Sequence, residues 1–218
     1  MKSLNSALND ITKAVELLDE DNKNVEWHIL KAKLLVNLGR CEEATVEYQV
    51  ATILLSRSDN NDNNNQKNEK KLRETKIAHQ QSKECSDLLT NAMKSYQSNN
   101  YANAVQYFNQ VLSYTLNGDT PDILYMKAQS EYYTEDYYGT VSDTGKILKN
   151  YPKHVEAYQL RGEAYFRLSE LDMAVKHFRE GLKLDPEHKG KYLCVVGWFL
   201  VWIYWEIWQG DNVRYIYD

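Results

Sequence analysis

The residues of this chain that could do chemistry do not assemble into a reaction. His28, His79, His154, His177 and His188 are scattered, none at metal-ligand spacing from another, and neither an HExxH nor a glycine-rich phosphate loop occurs. Each lone imidazole therefore reads as a surface or core-edge residue. Cys41, Cys85 and Cys194 are odd in number, far apart and without CxxC spacing, which predicts neither a disulfide framework nor a zinc site. Serines and carboxylates are plentiful, yet nothing brings a nucleophile and a base together in a recognisable order. The expectation is no catalytic residue, no metal and no cofactor. A net charge of −5 gives no electrostatic reason to expect nucleic acid. The densest basic stretch, KNEKKLRETK over 67–76, carries Glu69 and Glu74 among its cations, as a solvated helix face does. What remains is binding.

Residues that bind need elements to carry them, and an internal period supplies these. Pro152 and Pro186 lie 34 residues apart, and each closes a helical stretch. Counted in that frame, units start at Val25, Cys85, Pro121 and Val155. A small residue recurs midway along a first helix (Ala32, Ala92, Ala128, Gly162) and another early in a second (Ala44, Ala104, Ala174), with Thr140 and Thr144 at two normally apolar places. Tyr48, Phe108 and Phe178 are the large partners. Small residues let two helices approach closely and rings fill the remaining gap, so each unit reads as a helix–turn–helix hairpin. A single hairpin cannot bury its apolar stripe, so the units must stack.

This period and small–large pattern resembles the tetratricopeptide repeat. Four full copies and one half copy, LNSALNDITKAVELLD over 4–19, cover about residues 4–188. The fold class expected is all-α, a superhelix (α-solenoid) of antiparallel helix hairpins. The resemblance implies that the first helix of each unit lines a concave groove through frame positions 5, 9 and 12. Here these are Ile29, Lys33 and Val36; Leu89, Met93 and Tyr96; Tyr125, Gln129 and Tyr132; Gln159, Glu163 and Phe166. Repeats of this kind that clamp a C-terminal carboxylate use Lys and Asn there, whereas this chain has only Lys33 and no Lys-x-x-x-Asn pattern. Its candidate peptide-binding residues are Ile29, Val36, Leu89, Met93, Tyr96, Tyr125, Tyr132, Tyr133 and Phe166. Met, Tyr and Phe suit apolar, sequence-tolerant contacts; ordinary packing between helices is the alternative role of each ring.

Four stretches follow. Residues 1–55 hold the half repeat and one full repeat, and 56–69 form an Asn-rich linker with too few apolar residues to bury. Residues 70–190 open with one long helix, Lys70 to Tyr96, and carry three repeats. Residues 191–218 form a tail holding four of the five Trp, with 14 uncharged residues from Tyr192 to Trp205. That tail is open to three readings: a membrane anchor, shorter than the ~20 residues a span needs; an interfacial or groove-filling helix with a Trp stripe; or translated non-coding sequence. Membrane contact is expected only if the tail is an anchor. An array that opens on a second helix is expected to be a piece of a longer one. The first twenty residues lack the charged-then-apolar order of a signal peptide. The compartment is then the cytoplasm if the start is genuine, and a secretory one if a leader precedes it.

The order of incomplete repeat, full repeat, polar insertion and long helix, then SYQSNNYANAVQYFNQVL and AYFRLSELDMAVKHFREGLKLDPEHK, resembles the N-terminal half of the DnaJ subfamily C member three family. These are co-chaperones of the endoplasmic reticulum that join such repeats to a J domain. The resemblance covers roughly residues 4–190. It implies a non-enzymatic scaffold that holds unfolded or extended polypeptide, with an Hsp70 system engaged through the J domain, and the lumen of the endoplasmic reticulum as its compartment if a leader precedes the given start. No His-Pro-Asp triplet of such a domain occurs in this sequence. An adaptor binding one specific protein partner, such as a kinase or assembly factor, is the alternative. Binding of many aromatic-rich peptides, against one sharp motif, separates the two.

Overall fold

The computed structural model describes residues 4–18, 24–58, 65–115 and 120–186. Among them are nine α-helices and no strand: α1 (Leu4–Leu18), α2 (Val25–Asn37), α3 (Cys41–Ser58), α4 (Asn65–Gln97), α5 (Tyr101–Tyr114), α6 (Pro121–Tyr133), α7 (Tyr137–Asn150), α8 (Val155–Arg167) and α9 (Leu171–Leu184). Three of the four predicted unit starts, Val25, Pro121 and Val155, are the first residues of helices. The fourth, Cys85, lies inside α4. The Asn-rich stretch is helical up to Ser58 and again from Asn65, so the long helix starts five residues before Lys70. The tail over 191–218 lies outside the described residues.

Local chemistry sets the start of several helices. Asn24, Asn100, Asp136 and His154 cap α2, α5, α7 and α8 by accepting a backbone N–H in the first turn. Pro121 opens α6, where a missing N–H is harmless. The turn inside every full hairpin uses one left-handed residue at the same frame position: Gly39, Asn99, Glu135 and Ser169, with φ of 72°, 59°, 65° and 62°. Only the first is the residue type that adopts this region freely.

The small residues do what the pattern requires. Ala32, Ala44, Ala92, Ala104, Ala128 and Thr140 have no exposed surface. A Cβ at Gly162 would stand 2.6 Å from the Phe178 ring, so this contact tolerates no side chain. The two threonines at apolar places stay buried by bonding backbone. Thr140 Oγ1 donates to Ala128 O (3.2 Å) or Asp136 O (2.9 Å), and Thr144 Oγ1 to Thr140 O (2.6 Å).

The chief departure from a uniform solenoid is α4, whose 33 residues make it about 50 Å long at 1.5 Å per residue. Its first part runs antiparallel along α3. Thr45 Oγ1 donates to Ser82 Oγ at 3.1 Å, Ala78 packs in one apolar cluster with Tyr48, and Lys71 pairs with Glu26. Its last part, from Cys85, pairs with α5 as the first helix of the next hairpin. The later repeats are therefore displaced along the α4 axis by about half its length. The turn after α2 then meets the start of α6, where a Cβ on Gly39 would lie 2.5 Å from Ile123 Cδ1.

A covalent bond sits where the two parts of α4 meet. Cys41, the first residue of α3, and Cys85 form a disulfide with Cα atoms 5.8 Å apart. This corrects the expectation of no disulfide. The sequence separation is 44 residues, but antiparallel packing of α3 on α4 cancels it. Closing a loop of that length stabilises by about 4 kcal/mol in the chain-entropy account.

Candidate functional site

The face formed by α4, α6 and α8 is built from tyrosines. Tyr96 leaves the last turn of α4, Tyr125 and Tyr132 lie seven residues apart on α6, and Tyr133 closes that helix. The turns deliver two more rings, because Tyr101 and Tyr137 are the first residues of α5 and α7.

The rings form a chain. Tyr96 meets Tyr101 edge-on at 5.9 Å, Tyr101 stacks on Tyr133 at 4.4 Å, Tyr133 meets Tyr132 at 5.8 Å, and Tyr132 meets Tyr137 at 5.5 Å. Such offset and edge contacts add about 0.5–1.5 kcal/mol each beyond area burial. They fix the rings without covering them, and Tyr133 stays 57% exposed.

Polar contacts hold the hydroxyls. Tyr96 donates to Gln129 Oε1 at 2.7 Å, and Gln129 Nε2 donates to the Tyr125 hydroxyl at 3.3 Å. Arg167 Nε donates to the Tyr132 hydroxyl at 3.3 Å, which ties α8 to α6. Burial, then the negative potential of Glu156 and Glu163, pushes the Tyr125 phenol far above its ordinary range. Burial likewise raises Tyr96, with Tyr133 and Tyr101 adding to it. These phenols stay protonated at neutral pH and act as hydrogen-bonding groups and apolar surface, not as bases.

Four of the nine expected contact residues, Tyr96, Tyr125, Tyr132 and Tyr133, meet on this face. The others do not join it. Ile29 lines a separate groove of about 410 Å³ between α2, α3 and the first part of α4, with Lys33, Tyr48, Lys71 and Ala78. Val36 packs against the apolar cluster of the first hairpin. Leu89 and Met93 line a crevice of about 390 Å³ that the Leu38–Arg40 turn and the Thr120–Met126 segment enclose. Phe166 packs on Ala174 and Phe178. The lengthened α4 offsets the first hairpin, which carries Ile29 and Val36 away and lays the turn after α2 over Leu89 and Met93, whereas Phe166 is taken up within its own hairpin.

Sequence reasoning missed Tyr101, Tyr137 and Arg167 as parts of the face. Tyr101 and Tyr137 share one position of the 34-residue frame, and that repetition was the available signal. Arg167 had none, because its partner lies 35 residues earlier. Among the described residues no group of His, Cys, Asp and Glu could hold a metal ion, and no helix is long and apolar enough to cross a membrane.

A family model of the tetratricopeptide repeat matches residues 155–188, the last unit of the frame. Over 188 residues the chain is 30% identical to the DnaJ protein P58IPK homolog of Arabidopsis thaliana, covering 86% of this chain and 35% of that protein. It is 23% identical over 184 residues to DnaJ homolog subfamily C member 3 of Gallus gallus, covering 84% and 33%. The crystal structure of the P58(IPK) TPR domain superposes with a TM-score of 0.66 at 19% identity, over 85% of this chain and 47% of that one. That likeness carries the fold. The chain spans about a third of the length of these two curated relatives.

Proposed function

On the premise that the chain is a tetratricopeptide-repeat protein, similar over its repeats to P58IPK-type DnaJ proteins, we propose that it holds extended polypeptide segments in the manner of a co-chaperone. The observation that carries this reading is the linked tyrosine face. Its rings are fixed before anything binds, so little side-chain freedom is lost on contact. Each offers apolar area with a hydroxyl at the tip, which suits partners of varied sequence. No protein group on the face is poised for bond-making, so the role is that of a scaffold. The relatives carry DnaJ in their names, and coupling to an Hsp70 system is part of the proposal for the longer proteins to which such arrays belong.

The test is fluorescence anisotropy with labelled aromatic-rich peptides and the double variant Tyr132→Ala/Tyr133→Ala. Affinity should fall about ten-fold or more, as loss of a ring cluster at a contact centre does, while the far-UV dichroism stays nearly unchanged. Unaltered affinity removes this face from the proposal. A peptide array separates the broad reading from the adaptor reading: many aromatic-rich binders support the first, one sharp motif the second.

A further inference from the structure

We propose that oxidation of Cys41 and Cys85 is a redox lock that decides whether the first part of α4 stays docked on the first hairpin. The bond's position is the first ground. It joins the start of α3 to α4 at the residue where α4 passes from one hairpin to the next, and both cysteines are fully buried beside Ala92, Phe108 and Ile123. The second ground is that the segment itself brings few fully buried side chains to its contact with α3, whose Tyr48 is covered there. Between Asn65 and Glu84, the residues α4 fully buries are Thr75 and Ser82, while Leu72 and Ala78 are half-covered and Ile77 is 60% exposed. The polar ties across the contact include a hydroxyl–hydroxyl bond, Thr45 to Ser82, and an ion pair, Lys71 with Glu26, whose carboxylate faces water. An exposed pair of that kind contributes little. By contrast, the part of α4 beyond Cys85 is held by a cluster that includes Phe108 and Val111, which have no exposed surface.

The chemistry is a two-electron oxidation. The two thiols lose two protons and two electrons as the S–S bond forms, and a disulfide of a thiol oxidoreductase takes them up and becomes a dithiol. Neither sulfur is reachable in the closed state, so a reductant must wait for α4 to lift. The groove holding Ile29 and Lys33 has α4 as one wall, and it exists only while the lock is set. This inference stands apart from the tyrosine face, which lies beyond the joint.

The full chain is refolded in a glutathione couple, denatured without reductant, alkylated with iodoacetamide and mapped. A cross-linked peptide pair with Cys41 and Cys85 unlabelled is expected, and labelling of both overturns the proposal. Hydrogen exchange then compares oxidised and reduced wild type, which differ by no side chain. Amide protection over 25–84 should fall about ten-fold or more on reduction, as a segment opening on its own does, with 101–186 changed less than about two-fold. Equal protection in both forms, or loss along the whole chain, overturns the lock. Cys41→Ala/Cys85→Ala should reproduce the reduced pattern; if that variant fails to fold, reduced wild type still decides.

Discussion

His177 stands on α9 with 7% of its surface exposed, and neither ring nitrogen has a hydrogen-bond partner. It lies flat on Tyr165 at 5.3 Å. Burial, then the charges of Arg161 and Lys176, pulls its pKa from 6.5 down to about 4, against a weaker opposing pull from Glu180. The neutral ring is thus the folded form. Its contribution is fully present above the unfolded value of 6.5 and is lost as pH falls towards about 4. Urea melts across that window should lose up to about 3 kcal/mol in the wild type, and His177→Phe should flatten the slope. An unchanged slope would show that other groups titrate there. A second residue-scale prediction concerns Lys127, buried on α6 between Glu131 and Asp143. Burial alone would lower its pKa, but hydrogen bonds to Asp143 and Glu131 outweigh that and raise it. Burial, opposed by the Lys127 bond and helped by Asp143, leaves Glu131 above the usual carboxylate range. Lys127→Met strands the buried Glu131 and leaves Asp143 with Lys146 as its remaining cation, and should cost about 3 kcal/mol. A loss under ~0.5 kcal/mol, the size of an ordinary surface change, would mean that water reaches the site.

At the scale of elements, the turns inside the hairpins are the weak points. Glu135 and Ser169 hold the left-handed conformation that Gly39 takes without cost, and Ser169 is exposed with no packing reason to be serine. Ser169→Gly should therefore raise stability by about 1 kcal/mol through relief of backbone strain. An unmoved or lowered melting temperature would mean that the entropy glycine gains in the unfolded chain cancels the relief. The helices themselves were legible in the sequence. Frame positions 1 and 17 begin seven of the eight helices of the full hairpins, because the small–large alternation both predicts and enforces where two helices touch. The linker ends were not. Ser58 and Asn65 are helical although their neighbours are Asn-rich, so both helices run further into this stretch than local propensity alone predicts.

The molecule as a whole is two stacks on one long helix, and the contact between them is tight at Gly39. This residue needs φ +72° and sits where any Cβ would press on Ile123. Gly39→Ala should then do more than strain a turn. It should push the first hairpin away from α6 and destabilise by about 2 kcal/mol or more. Small-angle scattering checks the first effect and thermal melting the second. A variant with an unchanged scattering profile would show that the Ile123 side chain moves aside and the junction does not.

The 34-residue spacing, read alone, determined the fold class, three of the four unit starts and the small residues at each close contact, since period and packing are one constraint. It also singled out Tyr96, Tyr125, Tyr132 and Tyr133, which the structure brings to one face. Tertiary structure decided what depends on distance across the chain. The spacing could not tell that α4 carries one hairpin on each of its two parts, because the helix looks the same locally whichever neighbours it has. That offset separates Ile29 and Val36 from the tyrosine face and lays the turn after α2 over Leu89 and Met93, while Phe166 is taken up by packing within the last hairpin. It also sets Cys41 against Cys85, a pairing that 44 intervening residues conceal and that antiparallel packing alone produces.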